Sequence, residues 1–336
     1  MDNYFQGKRI LVIGGTGFIG SELIKHLIKN NPLVIRIFSR DDGRQAKLQN
    51  EIGDLENLRF LIGDIRDKER LKKALEDIDI VFHVAGMKNV YLSEYNPFEA
   101  VLTNVIGTQN LIDASLEKEV EKVIFVSMNN AANPVSTLGA TKLLAEKLMI
   151  SAHYHRGRKR TLFSNVRLGN VFDNSYVESL KKQIVNNNSV SIPSSEIYTF
   201  VMDVFNVANL LLNVVGKMQG GETYVFKMPV VRADDLAKVT IEEICKSMNK
   251  DPFSVVINQL GLLPGEKHNE FLITNEEGKN TLDVGDMFVI LSPLLIKDVE
   301  GFNYFNSNNF MEKGYSSHDK IPLTKEQIRD LLFKQV

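Results

Sequence analysis

A doubly wound α/β fold, with a mostly parallel sheet buried on both faces, is what this sequence predicts from three observations. Short apolar runs without polar alternation recur through the first half, amphipathic helical patterns separate them, and a glycine-rich turn joins the first run to the first helix. Strands covered on both faces lose the alternation of a one-sided sheet. Parallel neighbours also need a crossover, which the intervening helices supply.

The elements follow in order. "RILVIGG" reads as the first strand and "SELIKHLIKN" as the first helix, then "LVIRIFSR" and "LRFLIGD" as strands, and "RLKKALED" as a helix. "DIVFHVAG" is the fourth strand, followed by one long helix from about Glu94 to Glu117. "VEKVIFVSM", a helix from about Ser136 to His155, and "TLFSNVRLGN" complete the regular part. Beyond Asn170 the pattern loosens. "VFDNSYVESL" reads as a loop, "VSI" as a short strand, Val204 to Val215 as a helix, "GETYVFKM" as a strand and "ADDLAK" as a helix start, before a polar tail. No repeat or low-complexity linker divides the chain.

Composition sets the bounds. With 336 residues, 43% hydrophobic and 24% charged, the chain can bury a sizeable core in one large or two modest domains. A net charge of -2 offers no global attraction for nucleic acid, and "HYHRGRKR" from His153 reads as a solvated helix end. No stretch approaches the roughly 20 apolar residues that span a bilayer, and the N-terminus lacks a signal-peptide layout. A cytoplasmic protein without nucleic-acid or membrane partners is expected. Cys245 is the only cysteine and sits in an apolar helical pattern, so it reads as core. The six histidines show no metal-ligand spacing, and no metal is expected.

"ILVIGGTGFIG" places Gly14, Gly17 and Gly20 between a strand and a helix, with Thr16, Phe18 and Ile19 in the same turn. Glycines there permit a tight turn and let the backbone approach a pyrophosphate, which rests on the helix N-terminal amides. At the tip of the second strand, an acid would hold the ribose 2'-hydroxyl of NAD. Ser39, Arg40 and Arg44 suit a 2'-phosphate instead, so NADP is expected ahead of NAD, with Asp41 as the alternative ribose partner. "GDIRD" offers Asp64 and Ile65 to an adenine, and "HVAGMKN" offers Ala85 and Gly86 along the dinucleotide. The expected division is a dinucleotide-binding domain over 1–172, with 200–228 returning to it, and a smaller substrate lobe over 173–336.

At "VFHVAGMKNVYLSEYNPFEAVLTNVIGTQNLIDA" and "NPVSTLGATKLLAEKLM" the chain resembles the extended short-chain dehydrogenases that act as UDP-N-acetylhexosamine 4,6-dehydratases and epimerases in capsule and flagellin-glycan synthesis. The resemblance continues through "RLGNV", "GGETYVFKMP", "ADDLAK", "GLLPGEK" and "GYSS". It implies a Rossmann-type fold with a C-terminal substrate lobe, a nucleotide-sugar ligand, and homo-oligomers built on the long helices after the fourth and fifth strands.

It also implies where the chemistry would lie. A family stretch like S-T-D-K-A carries a substrate-binding threonine, an acid and a lysine; the matching residues here are Ser127, Met128, Asn129, Asn130 and Ala131. Carboxamides cannot exchange a proton near neutral pH. Lys142 matches the lysine that bonds the nicotinamide ribose, and Leu138 takes the tyrosine or methionine position four residues before it. Lys88 is the best remaining acid, or else neutralises phosphate or pairs with Glu94, and Asn104 and Asn170 are expected to line the same cleft. Two diphosphate-binding arginines fall on Thr199 and Leu263, leaving Met128, Asn170, Thr199 and Lys267 on the substrate side. Two functions follow from this pattern: a nucleotide-sugar enzyme with an altered site, or a silent NADP-binding pseudoenzyme that serves as sensor or partner of an active paralogue.

Overall fold

The apolar runs of the first half pair as parallel strands of one sheet. A computed structural model describes residues 4–172, 174–192, 194–262, 265–294 and 309–333. Strands β1 (Arg9–Ile13), β2 (Val34–Ser39), β3 (Leu58–Ile62), β4 (Ile80–His83), β5 (Lys122–Met128) and β6 (Leu162–Leu168) are joined on the far side of β6 by β10 (Thr223–Phe226), which also runs parallel. Antiparallel β15 (Met287–Ile290) and β14 (Thr281–Asp283) complete nine strands in the order β14-β15-β10-β6-β5-β4-β1-β2-β3. The expected doubly wound α/β fold is thus the observed one. Strand order reverses between β1 and β4, and such switch points open a crevice at the carboxyl ends of the strands.

Burial on both faces explains the unbroken apolar runs. Ile10 and Val12 of β1 pack with Leu23, Ile24 and Leu27 of α1 (Phe18–Ile28), whereas Leu11 and Ile13 belong to a second cluster with Leu71, Leu111 and Phe125. Helices α2 (Asp42–Ile52), α3 (Lys68–Ala74), α6 (Gly107–Glu117) and α7 (Thr137–His155) make the crossovers. The basic run at the end of α7 is largely exposed beyond Arg156.

Two expectations need correction. The long helix after β4 is interrupted: α4 (Val90–Tyr95) and α5 (Pro97–Ala100) are separated at Asn96, and a π-helical stretch (Val101–Ile106) precedes α6. Pro97 has no N–H to donate and pushes the preceding residue out of the helical region, where Asn96 sits at φ -125° and ψ 63°. The stretch after Asn170 is not a loop but strand β7 (Asn170–Phe172) followed by helix α8 (Asn174–Asn187). Leu180 and Ile184, four apart on α8, pack against Ala237, Ile241 and Cys245 of α10 (Ala233–Ser247).

The stretch beyond residue 172 contributes three strands, β10, β14 and β15, to the main sheet. Its other strands are β8 (Ser189–Ile192) with β12 (Val256–Gln259), β9 (Tyr198–Asp203) between β7 and β11 (Val230–Arg232), and β13 (Phe271–Ile273) with β16 (Tyr315–Ser316). Helices α9 (Val204–Lys217), α11 (Asn275–Gly278) and α12 (Lys325–Phe333) complete this part, with α9 packed on α1 and α12 on α10. A buried ionic cluster ties α11 to the sheet. Arg167 of β6, 1% exposed, meets Glu146 of α7 at 2.6 Å and Glu277 of α11 at 2.9 Å, and donates to Leu272 O at 2.8 Å.

Candidate active site

At the switch point lies a cavity of about 590 Å³. Its floor is the turn between β1 and α1, where Gly14, Thr16, Gly17, Phe18, Ile19 and Gly20 line the space. Gly14 adopts φ +84°, and a Cβ there would meet Ala85 N at 2.7 Å, so only glycine lets β1 pass this close to the end of β4. No side chain caps α1 at Gly17, and its first turn carries no acid. The helix N–H groups therefore face the cavity without an internal acceptor.

The tip of β2 contributes Ser39, Arg40 and Arg44. Buried Gln45 fixes Ser39 by donating to both its carbonyl (3.1 Å) and its hydroxyl (3.0 Å). Asp41 is occupied as the N-cap of α2, accepting from Arg44 N at 2.9 Å. Across from it, Asp64 accepts from the Arg66 backbone at 2.9 Å and from its guanidinium at 2.7 Å and 3.0 Å, with Arg40 at 3.6 Å. Burial pushes the Asp64 carboxyl up, but these Arg66 bonds outweigh it and hold the group below the usual carboxylate range. Ile65, Ala85 and Gly86 continue the wall.

Ser127, Met128, Lys88, Lys142 and Asn170 close the inner end. Ser127 Oγ is buried and, among the described residues, without a partner. A Cβ on Gly86 would lie 2.9 Å from both Asn104 Oδ1 and Lys142 Nζ, so the missing side chain brings those two groups together. Asn104 itself does not line the cavity: it lies behind the wall, accepting from Met87 N at 2.9 Å and donating to Thr141 Oγ1 at 3.0 Å. The Lys142 ammonium sits 4.8 Å over the Phe125 ring, donates to Val126 O at 3.5 Å, and is pushed down to about 8 by burial, with Glu146 pulling the other way. Glu94, an expected partner of Lys88, instead accepts from Thr137 N (2.5 Å) and Thr137 Oγ1 (3.1 Å) at the start of α7.

A second cavity of about 380 Å³ adjoins the first. Lys88, Met128, Asn170 and Val171 line both, so the inner end of one opens on the other. Asn129, Asn130, Thr199 and Lys267 line this second space. Lys267 is a strut that donates to Ala132 O (3.1 Å) and to Asn133 O. Leu138 is fully buried in α7, and Leu263 lies outside the described residues. Sequence reasoning missed Glu270. Its Oε2 accepts from Thr199 Oγ1 (2.9 Å) and Phe200 N (3.0 Å), its Oε1 from Asn170 Nδ2 (3.1 Å), and Asn170 also donates to Thr199 Oγ1. Nothing in "EKHNEF" sets this acid apart from a surface glutamate. Its place depends on a chain segment folding back across 100 residues.

Comparison with known proteins agrees with this layout. The family model described as "Polysaccharide biosynthesis protein" matches residues 10–292. A Methanocaldococcus jannaschii protein described as an uncharacterized membrane protein is 43% identical over 334 residues, covering 99% of this chain and 97% of that one. Among the described residues here, no helix is long and apolar enough to cross a membrane. The inverting UDP-N-acetylglucosamine 4,6-dehydratase of Campylobacter jejuni is 35% identical over 319 residues, 94% of this chain and 91% of that one. The X-ray structure of Pen from Bacillus thuringiensis superposes with a TM-score of 0.92 at 40% identity, over 99% of each chain. The fold also recurs, at 18% identity and a TM-score of 0.65 over 96% of this chain and 99% of that one, in a Thermus thermophilus UDP-glucose 4-epimerase solved with NAD. Matched along nearly its whole length, this chain belongs to the polysaccharide biosynthesis protein family, of the nucleotide-sugar dehydratase and epimerase type.

Proposed function

We propose that this protein is a cytoplasmic NADP-dependent enzyme of the UDP-N-acetylhexosamine dehydratase or epimerase type, working in glycan biosynthesis with an altered proton-transfer site. One observation carries the reading: the glycine-floored cavity and the second cavity share Lys88, Met128, Asn170 and Val171, so two ligands would meet end to end. The residues present fit a dinucleotide. The Gly14 turn and the uncapped start of α1 suit a pyrophosphate, and the unpartnered Ser127 Oγ and the Lys142 ammonium lie where the nicotinamide ribose would need polar partners. A bound NADP would supply hydride exchange.

NADP is favoured over NAD because Asp41 is occupied in capping α2, while Arg40 and Arg44 are both more than 60% exposed and able to close on a 2'-phosphate. Calorimetric titration of cofactor-stripped protein is expected to show tighter binding of NADP than of NAD, and then micromolar binding of UDP-N-acetylglucosamine to the NADP-loaded form. Tight NADP binding with no response to UDP-N-acetylglucosamine, UDP-glucose or UDP would sink this reading. It would favour the second one, a silent dinucleotide-binding partner, which draws support from the carboxamides of Asn129 and Asn130 and the buried Leu138.

The same reading makes the protein a homo-oligomer through the α4, α5 and α7 face. Tyr91, Leu92, Tyr95 and Phe98 of α4 and α5 are each at least 50% exposed, and Leu144 of α7, a helix packed on both, is exposed as well. Exposed large apolar side chains on neighbouring helices suit an interface between subunits. Light scattering is expected to give a dimer or larger, and Tyr95→Lys with Phe98→Glu to shift it toward monomer; a monomeric wild type at all concentrations would refute the interface.

A further inference from the structure

Among the described residues, five side chains lining the second cavity can exchange a proton: Lys88, Tyr176, Glu266, Lys267 and Glu270. Burial pushes the Tyr176 phenol well above its ordinary value, away from neutral pH. Lys267 is committed to two backbone carbonyls. Glu270 is distinguished by how it is held. Its backbone N donates to Ser317 Oγ at 2.9 Å and its carbonyl accepts from Ser317 N at 2.9 Å, which fixes the residue immediately before β13.

Its carboxyl is gripped by neutral donors: Asn170, Thr199 and the Phe200 backbone, with the Asn129 amide adding a bond. None of these partners is a cation. Burial raises the carboxyl above its ordinary value, though the same hydrogen bonds pull it back. Among the described residues, Lys88, Glu266 and Lys267 are the charged groups that share its cavity. A carboxyl on a cavity wall, held only by neutral donors, suits a ligand hydroxyl that gives up its one proton to it.

Building on the function proposed above, we propose that Glu270 is the proton-exchanging catalytic residue of this cleft, acting on a hydroxyl of the bound sugar. In one direction the sugar O–H bond breaks, an O–H bond forms on Glu270, and the bonding pair stays on the sugar oxygen. In the other direction the protonated Glu270 returns the proton. The carboxamides at Asn129 and Asn130 are then compatible with chemistry, because the exchangeable group is contributed by the segment that folds over them.

The test compares wild-type and Glu270→Gln protein, both full-length and NADP-loaded, in three measurements. They are calorimetric binding of UDP-N-acetylglucosamine, its conversion followed by mass spectrometry, and carboxyl resonances of 13C-glutamate-labelled protein across pH. Gln keeps an acceptor for Phe200 N and Thr199 but turns an NH2 toward Asn170 Nδ2, so its fold is checked by circular dichroism; the folded variant is expected to bind the sugar nucleotide within about threefold of wild type, while turnover falls about 100-fold or more. A carboxyl resonance titrating above the ordinary glutamate range should disappear with the substitution. Turnover within about threefold of wild type, or no such resonance in the wild type, overturns the inference and leaves the proposed function standing. A wild type that binds no UDP-sugar overturns both, as does one that binds without releasing product.

Discussion

Lys142→Met is expected to make the protein more stable at pH 7 and poorer at holding NADP. The Lys142 side chain is 6% exposed, and its ammonium is pushed down to about 8 from an ordinary 10.5. A base whose value is lowered by folding works against the native state wherever both states are charged. Below about pH 8 that cost is present in full. As pH rises from 8 toward 10.5 the folded protein gives up its proton first, the unfolded chain binds more protons, and stability rises. A shift of this size corresponds to something on the order of 3 kcal/mol at pH 7, which methionine, of similar length and apolar, should recover. The loss falls on the ligand. A charge-assisted hydrogen bond contributes roughly 1.5–3 kcal/mol, so NADP should bind about 10- to 100-fold more weakly. Calorimetric unfolding at pH 7 and pH 10, paired with NADP titration, checks both halves. A variant less stable at pH 7, or one that holds NADP as tightly as wild type, would contradict this account.

Arg167→Ala should be the most damaging single change outside the cleft. It strips the partner from Glu146, whose side chain is 2% exposed, and frees Glu277 and the Leu272 carbonyl from the sheet. Removing one member of a buried ion cluster leaves an uncompensated charge, at a cost of about 3–5 kcal/mol. Replacing the buried pair together, as Arg167→Met with Glu146→Leu, should recover much of the loss, because a packed apolar substitute carries no desolvation penalty. Urea denaturation measures both variants. Hydrogen exchange over residues 271–277 should also rise in the single variant, since Arg167 holds that segment to β6. A single variant that loses less than about 1 kcal/mol would show that the cluster is not what secures α11. The consequence reaches the cleft, because Glu270 lies immediately before the strand that Arg167 anchors at Leu272.

The strand, glycine turn and helix from Arg9 to Ile28, the order of the six leading strands, and the groups offered at the tip of β2 were legible in the sequence. These are local properties. An apolar run without alternation reports burial on both faces, and a glycine spacing reports a turn that a Cβ would block, as at Gly14. The broken helix after β4 was also written locally, in Pro97, but the apolar spacing on either side of it outweighed that signal. What only the tertiary structure decided is which distant groups share a cavity. Asn170 and Glu270 stand 100 residues apart, and Arg167 and Glu277 stand 110 apart. No periodicity links such pairs; they meet because the sheet takes β10, β14 and β15 from the second half and the segment carrying β13 is drawn back against β6. Proton chemistry depends on that closure, since a carboxyl is raised by the surroundings that bury it and not by its neighbours in the chain.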